Sequence, residues 1–202
     1  MFFDINYLIY MIPAFILMAL TSWYVKSSYN KWSQVRARSG LTGAQATQRL
    51  ISAGGLYGVR VEGIAGEMTD HYDPRDKVLR LSQGVANVPS VAALAIAAHE
   101  LGHAMQDEEN YFPLRLRAAL VPAVNIGSNL GWILILLGLF LGLTQLAWIG
   151  VIAFSAGTVF ALATLPVEFD ASARAKRLLA DSGIISGQEE MNGVNSVLNA
   201  AA

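Results

Sequence analysis

His99-Glu100-Leu101-Gly102-His103 is the part of this sequence whose residue types and spacing can do chemistry. Two imidazoles four residues apart lie on one face of a helix, about one turn apart, and can meet one metal ion. Glu100, next to the first of them, can reach a water on that ion without ligating it, which is the position of a general base. The chain has 3 His in all, and two of them fall in this run. The metal the pattern favours is Zn²⁺. The run must be helical for this to hold. The preceding stretch Val91–Ala98 is rich in Ala and Leu, and Ser90 after Pro89 is a suitable N-cap, so a helix is expected over Val91–Asp107.

Two His do not complete a catalytic zinc site. A third protein ligand is needed, with the fourth position left for water. The chain has no Cys, so that ligand is a His or a carboxylate. Glu109 occupies the place of the third His in the longer H-E-x-x-H-x-x-G-x-x-H pattern, but Gln106 replaces the Gly on which that pattern turns back. His71, the spare His, lies upstream in the turn-forming stretch Asp70–Asp76. Asp170 is a further candidate. Glu168 is the best placed of the four. It follows Pro166 and begins the helical run Glu168–Ala180, where a first-turn position would favour an ionised carboxylate.

The elements around these residues have a membrane-protein composition. Of 202 residues, 54% are hydrophobic and 14% charged, against about 25% charged in an average soluble domain. The net charge of −1 supports no nucleic-acid partner. Three segments are apolar over about the 20 residues that a bilayer requires. They are an anchor over 5–25 and a hairpin over 120–143 and 146–166. The first is uncharged, and its basic residues follow it, unlike a cleaved signal. Lys26, Lys31, Arg36 and Arg38 follow the first span, Arg115 and Arg117 precede the second, and Arg174, Lys176 and Arg177 follow the third. By the positive-inside rule, the N-terminus and the hairpin tip lie outside and the polar parts lie in the cytoplasm.

Residues 26–118 then form one small cytoplasmic core, and 167–202 a cytoplasmic helical part with the third ligand. Within the core, Leu41–Ala53 reads as a helix ended by Gly54-Gly55. Tyr57–Glu62 and Lys77–Ser82 read as strands. The fold expected is a mainly α membrane protein with a small α+β domain, in which a short edge sheet lies beside the metal helix.

The chain resembles the YugP-like neutral zinc metallopeptidases of bacterial membranes. It is more distantly similar to the HtpX-type and CAAX-processing membrane proteases of the gluzincin class. The N-terminal anchor, Thr69–Pro74, Ala97–Gln106, the membrane hairpin and Leu165–Ser172 carry the resemblance, which covers nearly the whole chain. It implies a zincin-like domain in the cell membrane, with His99, His103 and Glu168 on Zn²⁺ and Glu100 as base. The HtpX-type pattern has Asp four residues after the third ligand; here that position is Ser172, with Asp170 nearby. The family pattern also continues into another apolar span beyond Leu198.

The function expected is a membrane zinc endopeptidase acting on protein or peptide substrates at the lipid bilayer. An oxyanion donor is expected from His71, Tyr72 or Tyr111. One alternative is an intramembrane zinc protease. Against it, only eight apolar residues run from Val91 to His99, and the chain lacks the Asp-Gly pair of that class. The other is a non-catalytic membrane adaptor or chaperone with a structural zinc, which would have no need of Glu100. Regulatory partners and self-association are left open.

Overall fold

In a computed structural model, residues 5–201 are described. Helix α1 is Ile5–Ser33 and α2 is Gly43–Gly54; strands β1 (Arg60–Ile64), β2 (His71–Asp73) and β3 (Val78–Ser82) follow. Then come α3 (Gln83–Ala86), α4 (Val91–Glu108), α5 (Phe112–Phe140), α6 (Thr144–Asp181) and α7 (Gln188–Ala201). The described residues sort into two compact units. One runs up to Ala104 and resumes at Ser172; the other is Met105–Ala171. Helices α4 and α6 each belong partly to both.

In the first unit, α2 begins at a capping box. Thr42 Oγ1 accepts from the Gln45 N–H while the Gln45 side chain accepts from the Thr42 N–H. Gly55 ends the helix at φ 70°, a left-handed position suited to glycine. The turn this makes uses up Tyr57 and Gly58, so β1 starts at Arg60 and not at Tyr57 as the alternation predicts. The sheet order is β1-β3-β2, with β1 parallel and β2 antiparallel to β3. The presence of β2 corrects the reading of Asp70–Asp76 as turn throughout. Asp70 accepts from both the N–H and the hydroxyl of Ser82, and Arg80 donates to Asp73 at 2.9 Å. These two ties lay His71–Asp73 along β3, and only the residues after Asp73 turn.

The helix bearing the His pair starts where expected. Ser90 Oγ accepts from the Ala93 N–H at 3.2 Å, and Val91 donates its N–H to the Val35 carbonyl. Leu50, Leu79, Leu81, Leu94, Leu101, Leu179 and Leu198 are fully buried and form the core. Helix α7 lies close against α1: a Cβ on Gly193 would fall 2.5 Å from the Trp32 ring, and the Ser28 and Ser196 hydroxyls bond at 3.0 Å.

The second unit is built on α5 and the first part of α6, joined by a turn in which Gly142 has φ 68°. Gly131 and Gly150 let the two backbones approach; a Cβ on Gly131 would lie 2.6 Å from the Phe154 nitrogen. Among the described residues, α5 and α6 are each long and apolar enough to cross a membrane. Their outward residues are large and apolar, with Phe140 88% exposed and Ile152 71%.

Residue 168 does not open a helix. Helix α6 runs unbroken from Thr144 to Asp181 with Pro166 inside it. The expected N-terminal dipole effect on Glu168 is therefore absent: helical residues precede it on its N-terminal side, and the charge beside it comes from Arg117.

Candidate metal centre

His99 and His103 stand one turn apart on α4, with ring centroids 4.8 Å apart and planes at 81°. His99 is buried, and the Ser172 hydroxyl lies 3.1 Å from its Nδ1. Ser172 is one turn beyond Glu168 on α6, so both fall on one face of that helix. Glu100 is also buried, and its Oε2 accepts the Tyr72 N–H at 3.1 Å. Tyr72 lies on β2, one of the two edge strands, which pairs with β3.

The ligand atoms of His99, His103 and Glu168 all lie within 4.8 Å of one another. Arg117 from α5 donates to Glu168 Oε1 at 2.6 Å, a charge-assisted contact that holds the carboxylate in place. Gln106, fully buried in the last turns of α4, donates through Nε2 to the Val167 carbonyl and to Asp170 Oδ2, each at 2.8 Å. Asp170 thus anchors the amide that fixes α6 beside the end of α4.

The other expected residues fall elsewhere. His71 Nδ1 lies 2.8 Å from the Thr69 carbonyl. Glu109 follows the end of α4, and Tyr111 caps α5. Among the described residues, His71, Glu109 and Asp170 are not in the three-residue cluster. Ser172, Gln106 and Arg117 were not among the expected site residues. Ser172 has a local signal, its i+4 spacing from Glu168. Arg117 and Gln106 have none, since their partners lie 51 and 61–64 residues away.

Two groups near the site have displaced titrations. Tyr29 is raised above the usual phenol value, first by burial and then by the negative charges of Asp70 and Glu67. Asp73 is held below the usual carboxylate range, chiefly by the hydrogen bond from Arg80 and then by the Arg75 N–H.

The donor set fits zinc: two imidazoles from one helix, one carboxylate from another, and no thiolate in the chain. Three protein ligands are the number found in catalytic rather than closed structural sites. Two imidazoles from α4 and one carboxylate from α6 make a candidate zinc centre, in a chain that also has two helices of membrane-crossing length.

Comparison with known proteins gives the family. Residues 7–202 match the family described as "Putative neutral zinc metallopeptidase". The chain is 48% identical over 178 residues, 88% of its length, to the "Putative membrane protease YugP" of Bacillus subtilis (strain 168), covering 79% of that protein. No solved structure matches. The chain belongs to this zinc metallopeptidase family, and zinc is the cofactor that goes with it.

Proposed function

We propose that this protein is a membrane-embedded zinc endopeptidase of the gluzincin type, with His99, His103 and Glu168 as metal ligands and Glu100 as general base. The observation that carries the reading is the convergence of those three ligand atoms beside a buried Glu100. Zinc held there supplies Lewis acidity and a water that is nucleophilic near neutral pH. Glu100 takes the proton of the attacking water and passes it to the leaving amine as the peptide C–N bond breaks. Ser172 on Nδ1 of His99 turns the other ring nitrogen toward the metal. Arg117 holds the Glu168 carboxylate in place. His71 and Tyr72, two of the expected oxyanion donors, lie on β2, and the Tyr72 N–H reaches Glu100. An edge strand in that position supports binding of an extended substrate alongside it.

The chain is proposed to cross the membrane three times, over 5–25, 120–143 and 146–166, with 26–118 and 167–202 in the cytoplasm of a bacterial cell. The two apolar helices and the Lys and Arg placement support this. Glu168 lies two residues past Pro166, at the end of the apolar part of α6. The metal then sits near the membrane surface, and membrane proteins or their juxtamembrane segments are the proposed substrates.

The test uses purified full-length protein, metal analysis and hydrolysis of casein and of a membrane-protein substrate. About one zinc per chain is expected, with hydrolysis stopped by a chelator and restored by zinc. Glu100→Gln should keep the zinc and lose hydrolysis, because it is nearly isosteric and removes only proton transfer. Loss of zinc in Glu100→Gln would make Glu100 a ligand and overturn the assignment.

A further inference from the structure

A cavity of about 190 Å³ opens beside His99 and Glu100. Its other walls come from the end of α1 (Val25, Tyr29), the loop before β2 (Met68, Asp70), Ile96 of α4, and the end of α7 (Val197, Leu198, Ala201). Within 91–100 every residue is buried except Ile96, one turn before His99, which is half-buried. The lining is mainly aliphatic. It holds two acidic groups: Glu100, which accepts the Tyr72 N–H at 3.1 Å, and Asp70, which accepts the Ser82 N–H at 2.8 Å and the Ser82 hydroxyl at 2.9 Å. An apolar cavity of about 150 Å³ takes up a benzene-sized molecule, so this one has room for the side chain of a Leu, Met or Phe.

Because His99 and Glu100 are themselves part of the wall, whatever fills the cavity lies against the reacting groups. We propose that it is the specificity pocket of the enzyme, and that it receives a large apolar side chain of the substrate residue next to the bond that is cut. The inference rests on the peptidase reading given above and adds the substrate preference to it. Tyr29 supports it. Burial and the nearby Asp70 and Glu67 keep its phenol protonated, so it meets the substrate as a neutral edge.

Two experiments test the pocket. The first measures kcat/KM on quenched fluorescent peptides that carry Gly, Ala, Leu, Phe, Asp or Lys on either side of the scissile bond. At one of the two positions, Leu or Phe should exceed Gly, Asp and Lys by roughly 10²-fold, the scale on which apolar pockets discriminate. Ile96→Trp, which fills the cavity, should lower the Leu-to-Gly ratio at least about tenfold. Ala201→Trp, at the exposed rim, should lower it in the same direction without disturbing the core. A flat profile in an active enzyme, or a ratio unmoved in both variants, overturns the pocket and leaves the peptidase intact.

The second experiment needs no turnover. Calorimetry on zinc-loaded Glu100→Gln protein compares leucine hydroxamate with glycine hydroxamate. The leucine compound should bind at least about tenfold more tightly, and Ile96→Trp in the same background should erase the difference. Equal binding overturns the pocket alone. Failure of both compounds to bind while zinc is present overturns the open metal site and the pocket together.

Discussion

Ser172 is a residue through which α6 acts on His99, its hydroxyl 3.1 Å from Nδ1. A ligating imidazole needs its second nitrogen held, both to fix the tautomer and to aim the ring. A hydroxyl does this with less charge than a carboxylate would. Ser172→Ala should therefore weaken zinc binding about 10–100-fold, read by competition with a chelator, while the chain stays folded. Ser172→Asp should restore it. The aspartates of the sheet allow a prediction on pH. Asp73 is depressed because Arg80 donates to it, so its contribution to stability is present above the ordinary carboxylate pKa of about 4 and is lost as pH falls through its lower folded value. Arg80→Gln should return Asp73 toward the ordinary range. Thermal unfolding below about pH 4 should then depend less on pH than in the wild type, and an NMR titration of Asp73 should show the upward move. Equal acid slopes would remove the pair from any role in stability. At this scale the sequence was informative where chemistry is local. His99 and His103, which fall in the metal cluster, are named by their spacing alone, because five consecutive residues on a helix set their own geometry. Arg117 and Gln106 were not legible, because each acts on a group brought near only by tertiary packing.

Helix α6 carries two roles that the sequence pattern divides at Pro166. A proline inside a helix removes one backbone hydrogen bond and commonly marks an end. Here the helix continues through it to Asp181, and Gln106 donates to the Val167 carbonyl on the next residue. The helix was legible on both sides of Pro166; its continuity was not, because a proline within a helix and one that ends it look alike in sequence. The strand β2 was missed for a similar reason: three residues are too few to show a period, and Asp70 and Arg80 supply the ties. Two outcomes belong to α6. Gln106→Leu leaves the Asp170 carboxylate without this buried donor and should destabilise the protein by about 1–3 kcal/mol, measured as a lowered unfolding temperature. Zinc affinity should fall with it, since the register of α6 against the end of α4 sets where Glu168 stands. Glu168→Ala should sharply reduce zinc content with the protein still in the membrane fraction, whereas Glu109→Ala and His71→Ala should leave it near one per chain. Full zinc in Glu168→Ala combined with loss in His71→Ala would replace the carboxylate site by one of three histidines.

At the scale of the whole molecule the question is which side of the membrane holds the chemistry. Helices α5 and α6 are long and apolar enough to cross a membrane, but their hydropathy carries no direction. Direction comes from the basic residues: Lys26 to Arg38 after the first apolar segment, Arg115 and Arg117 before α5's apolar part, and Arg174 to Arg177 after α6's. The turn between α5 and α6 has no charge. In the proposed three-span arrangement all three groups fall on one side, which the positive-inside rule would make the cytoplasm. Arg117 also contacts Glu168, so the basic group that orients the hairpin belongs to the same end of it as the proposed third ligand. The chain has no Cys, so single cysteines can be introduced and read without background. Thr144 at the turn and Arg75 after β2 are both exposed. In intact cells a membrane-impermeant thiol reagent should label Thr144→Cys and spare Arg75→Cys, and permeabilised cells should label both. The reverse pattern in intact cells would place the metal centre outside, and with it the proposed substrates.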